Sequence, residues 1–198
     1  SLLKKGQYSE AAQCVRTFYK FNPTSLAYDK LLDALLLSED SAAAWRMVRK
    51  QSNQFGDVRP QYTVDYWYLS RAIGRSGPSM SDIVAMVGKN PFSVRSVAQA
   101  LEKYGALEES ATVYEEAERA QPSLRIAFEK AQVYAQLGDR DKQYKSYLQA
   151  IQQNSQMYRA VKQRISQNLS DDENDPHNVA LKKALFEAIR VTNNPTFE

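Results

Sequence analysis

Apolar residues recur along most of the chain at steps of three and four, the spacing that places side chains on one face of an α-helix. Val94, Val97, Ala98 and Leu101 make one such face, Tyr66, Leu69, Ser70 and Ile73 a second, and Tyr28, Leu31, Leu32 and Leu35 a third. A polar or glycine-containing break follows each set, and another periodic stretch follows the break. After Gly105 that stretch carries Ser110, Val113, Tyr114 and Ala117 and stops at Gln121-Pro122. After Gly6 it carries Ala11, Val15 and Phe18 and stops at Asn22-Pro23. Glycine supplies the left-handed residue that ends a helix, and proline keeps the next helix from running on. The pattern predicts an all-α chain of short helices joined by tight turns.

The breaks themselves recur. The step from Gly105 to Gly138 is 33, and the same step taken from Gly6 reaches Glu39, inside the polar stretch Ser38-Glu39-Asp40-Ser41-Ala42. Gly77 completes the series, with a step of 38 before it and 28 after it, together twice 33. Small residues such as Ala11 and Ser110 let paired helices approach closely. A helix pair of this size cannot bury its apolar face by itself and must stack on its neighbours.

The 33–34-residue period, the Gly-x-Tyr/Leu-x-x-Ala/Ser turn and the Asn-Pro or Gln-Pro terminators resemble tetratricopeptide repeats over roughly residues 1–155. The copy from Val94 to Pro122 and the half-copy from Gly6 to Pro23 match best. The copy around Gly138 has Gln143 where a small residue belongs, the one around Glu39 lacks the glycine, and the one around Gly77 meets Asn90-Pro91 early. The resemblance implies an α-α superhelix, a solenoid of antiparallel helix pairs with a concave side, acting as an interaction scaffold for a protein or peptide and doing no catalysis. The stretch from Tyr158 through Asp171-Asp172-Glu173-Asn174-Asp175 to Asn193-Asn194-Pro195 is more loosely similar to exported bacterial tetratricopeptide proteins, which implies a periplasmic setting. On this reading residues 1–169 form the repeat array, 170–178 an acidic linker, and 179–198 a further helix and the start of a next repeat. Ser1–Gly6 reads as the last turn of a helix and Asn193–Glu198 as a terminator with the start of another unit, so the chain is expected to be an excerpt of a longer protein.

Composition narrows the chemistry. Seven Gly and seven Pro are too few for the many tight turns of an all-β chain. A single cysteine, Cys14, excludes an intrachain disulfide and a Cys-based zinc cage, and a single histidine, His177, excludes a multi-His metal site. No cofactor is expected. The longest apolar runs fall far short of the roughly 20 residues of a membrane helix, and a formal charge of +3 is too small to call for a nucleic-acid partner. Cys14, between Ala11 and Val15, reads as a buried apolar thiol. His177, after Pro176, reads as a surface or capping residue. The acidic run lacks the central glycine and distal glutamate of a calcium loop and reads as a charged linker.

Residues ten, six and two before each break share a helix face distinct from the core face. They are Asp29, Asp33 and Leu37 before Glu39; Trp67, Arg71 and Arg75 before Gly77; Arg95, Gln99 and Lys103 before Gly105; and Phe128, Gln132 and Gln136 before Gly138. They predict a groove for an extended peptide or partner helix, in which Arg and Lys meet an acidic group and Trp67 and Phe128 act as anchors. The same positions also suit an ordinary solvated helix face, with Arg71 or Arg75 paired to nearby acids. Asp29 and Asp33 stand where a clamp for a terminal carboxylate wants Lys and Asn. Further readings are a docking arm of a larger enzyme, self-association through open stacking faces, and a helical-repeat RNA reader. Against the last, Asp29, Trp67, Arg95 and Phe128 share no base-reading chemistry.

Overall fold

The computed structural model describes residues 7–192, and every regular element among the described residues is helical. The readings made for Ser1–Gly6 and Asn193–Glu198 lie outside the described residues. The α-helices are α1 (Tyr8–Phe21), α2 (Ser25–Leu37), α3 (Ser41–Phe55), α4 (Gln61–Ala72), α5 (Met80–Lys89), α6 (Val94–Lys103), α7 (Leu107–Ala120), α8 (Ala127–Leu137), α9 (Arg140–Gln153), α10 (Tyr158–Ser166) and α11 (Pro176–Thr192). The chain divides into two compact units, Ser1–Ile83 and Val84–Glu198, with the boundary inside α5. Helices pack in neighbouring pairs. In the first unit α1 lies on α2, α2 on α3 and α3 on α4; in the second, α6 lies on α7, α7 on α8, α8 on α9, and α9 on both α10 and α11.

Four turns share one backbone geometry. The left-handed position is held by Glu39 (φ 61°), Gly74 (φ 65°), Gly105 (φ 70°) and Gly138 (φ 73°). In each, the following N–H reaches five residues back: Asp40 to Leu35 O at 2.9 Å, Arg75 to Ser70 O at 2.8 Å, Ala106 to Leu101 O at 3.0 Å and Asp139 to Tyr134 O at 3.0 Å. The left-handed residue's own N–H bonds three residues back, to Leu36, Arg71, Glu102 and Ala135. This is the Schellman motif, which satisfies carbonyls that a helix end leaves open. The third turn corrects the sequence reading: its left-handed residue is Gly74, and Gly77 lies beyond it. The steps from Glu39 to Gly74 and from Gly74 to Gly105 are therefore 35 and 31, in place of 38 and 28. Gly77 is needed for close approach, since a Cβ there would sit 2.2 Å from Ser70 Oγ. That oxygen accepts the Trp45 indole N–H at 3.0 Å.

The second helices keep the period closely. They begin at Tyr8, Ser41, Leu107 and Arg140, in successive steps of 33, 66 and 33 along the numbering. Five residues after the left-handed position Ala44, Ser110 and Gln143 are buried, and so is Ala11 at the matching place in α1. Gln143 fits there because its side chain hydrogen bonds to Tyr147. The copy between 41 and 107 departs, and local chemistry explains it. Past Gly77-Pro78 the Ser79 N–H donates to Asp82 Oδ2 at 2.8 Å and the Asp82 N–H donates to Ser79 Oγ at 3.2 Å. This reciprocal cap starts α5 late, and the bonds from Ser79 hold the Asp82 carboxyl below its usual range. At the other ends, Asn22, Asn90 and Gln121 each precede a proline that disfavours helical backbone before it. Their N–H groups close the last helical bond at 2.9, 3.0 and 2.9 Å.

Helices this short are marginal alone, so burial between them carries stability. The first unit centres on Tyr28, Leu31, Leu32, Leu35, Val48 and Tyr62, and the second includes Tyr144, Tyr147, Leu148 and Val161. Buried polar groups are bonded: Tyr28 OH donates to Asp65 Oδ2 at 2.8 Å. Lys130, 6% exposed, donates to Glu118 Oε2 at 2.5 Å. Two single-residue readings change. Cys14 is exposed, because α1 buries Ala11 and Ala12 on its inner side. His177 is half-buried, its Nδ1 2.9 Å from Tyr144 OH and its Nε2 accepting from Arg140 Nε at 3.3 Å. The acidic stretch is folded back on itself, with Asn178 Nδ2 donating to the carbonyls of Ser170 and Asp172 at 2.8 and 2.7 Å. The helix after it starts at Pro176.

Glu39 is the one left-handed position among these turns occupied by a residue with a Cβ. A side chain there costs roughly 1–2 kcal/mol, part of which glycine returns through its larger unfolded-state entropy. Glu39→Gly is therefore expected to stabilise the chain by about 1 kcal/mol, read as a higher midpoint in urea. An unchanged or lower midpoint contradicts the strain assigned to this turn.

Candidate functional site

A concavity of about 840 Å³ lies wholly within the first unit. Its floor is apolar, made by Leu31 and Leu35 of α2 and Tyr62 of α4, all of them buried. Its walls are cationic. Arg16 and Lys20 project from α1, Arg46 and Lys50 from α3, and Arg59 from the turn between α3 and α4; among the described residues no Asp or Glu lines it. One end is apolar and open, where Val58 is 80% exposed beside Phe55.

The charges are only weakly compensated. Arg16 lies 3.8 Å from Asp40, a half-exposed pair of the kind worth little in water. Arg59 donates to Ser25 Oγ and, at 3.0 Å, to Tyr62 OH, both neutral acceptors. Lys20, Arg46 and Lys50 make no ion pair among the described residues. Tyr19 lines the same wall, and its phenol is pushed above its usual range, by burial first and then by Tyr62, with Arg59 opposing. A cationic rim over an apolar floor favours an anionic ligand that also carries apolar groups.

The predicted face distributes differently. Leu31 and Leu35 stand about 200° around α2 from Asp29 and Asp33, so the exposed Asp29 and Asp33 turn away from this concavity. Trp67 corrects the anchor reading: it is 3% exposed. Helix α4 buries Tyr62, Val64, Asp65, Trp67, Leu69 and Ser70. That is nearly its whole circumference, so the rule of one inner face fails there. Arg71 lies over the Trp67 ring at 5.0 Å. Arg75 lies over the Trp45 ring at 4.7 Å, with Arg49 at 5.2 Å from the same ring.

In the second unit the structure brings Arg95, Phe128 and Gln132 together around a concavity of about 340 Å³. Arg95 is committed within it, donating to Glu129 Oε1 at 2.7 Å and to the Arg125 carbonyl at 2.5 Å. Phe128 is half-buried, 5.7 Å from the Tyr147 ring, and so belongs partly to the core. Gln99 is exposed, and Lys103 holds its ammonium 5.6 Å from the Tyr104 ring. Nearby, Tyr134 OH and Lys142 Nζ share Glu115 Oε1 at 2.5 and 3.1 Å. The phenol bond first, and then Lys142, holds the Glu115 carboxyl below its usual range against the effect of burial. These bonds fasten α7 to α8 and α9.

The basic concavity was missed by counting back from the turns, because four of its cations sit on second helices and Arg59 sits in the turn after one of them. A signal was present in the i, i+4 pairs Arg16/Lys20 and Arg46/Lys50, each placing two like charges on one face. Among the described residues no three His, Cys, Asp or Glu side chains are grouped to hold a metal ion, and no helix is long and apolar enough to cross a membrane. Compared with known proteins, the chain matches no family model and no curated sequence.

Truncation should separate packing from surface roles. Trp67→Ala is expected to cost about 3–5 kcal/mol of stability, as for other buried aromatics. Arg71→Ala, which loses a cation–π contact, is expected to cost on the order of 1 kcal/mol. Chemical denaturation of both variants checks this. Equal losses contradict the assignment of Trp67 to the interior.

Proposed function

We propose that the chain is a helical-repeat scaffold of the tetratricopeptide kind, which binds a protein partner along exposed helix faces and performs no chemistry of its own. The observation that carries this reading is the recurrence of one Schellman turn four times, with the starts of the second helices separated by one period of 33 or by two. Repeated helical hairpins of this sort present preformed side-chain arrays, which lose little ordering entropy on binding. The exposed cations Arg71 and Arg95, on first helices of the two units, and the site around Arg95, Phe128 and Gln132 are the partner-facing groups in this reading. A periplasmic setting rests on the resemblance alone.

The test is crosslinked capture on the tagged chain, with the bound material quantified. A protein partner is expected, with recovery falling about tenfold for the Arg71→Glu/Arg95→Glu variant at unchanged helical circular dichroism. Recovery of nucleic acid instead of protein overturns the reading, and so does recovery no greater than from an unrelated helical bait.

A further inference from the structure

From the concavity of the first unit we infer that it is a binding site for an acidic segment of a protein partner, in which Asp or Glu residues alternate with apolar ones. This rests on the chain being a protein-binding module, but it places the contact on α1 and α3, away from the first-helix face considered above. The lining decides the chemistry of the occupant. Among the described residues five cations and no carboxylate face the space, and three of the five, Lys20, Arg46 and Lys50, have no ion-pair partner there. Like charges gathered on one wall repel, a cost that a polyanion removes on binding.

Geometry then separates a polymer from a single anion. Arg16 and Lys20 are one helical turn apart on α1, as are Arg46 and Lys50 on α3, so each wall carries two charges about 6 Å apart along its axis. A phosphate or lone carboxylate draws its donors to one point. Two walls of spaced charges suit a chain with several anionic groups in series, and alternate side chains of an extended peptide repeat at about 6.5–7 Å. The floor of Leu31, Leu35 and Tyr62 and the exposed Val58 and Phe55 supply apolar contact that a polyphosphate backbone has no means to use. Tyr62 is buried within the floor, so among the lining rings Tyr19 and Phe55 alone leave surface on which a base could stack, and the oligonucleotide arm of the experiment tests that occupant.

The experiment uses the whole chain and a fluorescein-labelled peptide about a dozen residues long in which Glu alternates with Leu and Phe. Its anisotropy is read against a Gln-substituted copy and a single-stranded oligonucleotide of matched charge. The acidic peptide is expected to bind, to weaken as salt rises from about 0.05 to 0.5 M, and to lose about tenfold or more in affinity with Arg46→Glu/Lys50→Glu. Both substituted residues are exposed, and circular dichroism with a thermal midpoint checks that the variant folds. Arg46→Gln/Lys50→Gln, which removes charge without reversing it, is expected to give a smaller loss in the same direction. Absence of peptide binding, equal binding of the Gln copy, tighter binding of the oligonucleotide, or affinity unchanged in both double variants overturns the proposal. If Arg71→Glu/Arg95→Glu alone abolishes peptide binding, the concavity is ruled out while the protein-binding reading survives. If capture yields no protein partner, it is that broader reading which falls.

Discussion

A backbone N–H that reaches five residues back across a left-handed residue is a small interaction, but the packing of α2 on α3, α6 on α7 and α8 on α9 depends on it. It reverses the chain within a single turn, so that in these three pairs the end of one helix and the start of the next lie side by side. Helices of nine to seventeen residues have little stability apart from their neighbours, and the turn delivers the neighbour. Because the same bond recurs at residues 35–40, 70–75, 101–106 and 134–139, the apolar faces on either side arrive in a repeated register. One buried position, filled by Ala44, Ser110 or Gln143, then sets how closely the pair approaches.

Charge is arranged by a different rule. In the second unit several charges are paired internally: Arg95 with Glu129, Lys130 with Glu118, Lys142 with Glu115 and Lys183 with Asp141. In the first unit, α1 and α3 turn cations toward a shared space with an apolar base and, among the described residues, no acid lining it. Pairing of the first kind tightens a fold locally, whereas unpaired like charges on facing helices cost stability and are tolerated where a ligand of opposite sign arrives.

Much of the fold was legible in the sequence, since helix faces and turns are written in local terms: spacing of apolar residues, a glycine, a proline. Gly105 and Gly138 were readable because glycine is the residue a left-handed turn favours. Glu39 was placed correctly by period although it has the wrong side chain for the job. Gly74 and Gly77 were exchanged because both are glycines three positions apart, and only the contact with Ser70 tells a turn from a close approach. The site was less legible. Trp67 was assigned to a surface by counting on one helix, but α4 is buried around nearly its whole circumference, and burial of that kind comes from tertiary packing that spacing on one helix does not carry. The cations of α1 and α3 were visible as pairs, yet that they face one space is a tertiary fact.

Both tryptophans, Trp45 and Trp67, fall before residue 83. Intrinsic indole emission therefore reports on the N-terminal unit alone, whereas far-ultraviolet ellipticity samples helices from both. The molecule thus carries a built-in optical label that follows the melting of one half against the whole, with no dye attached.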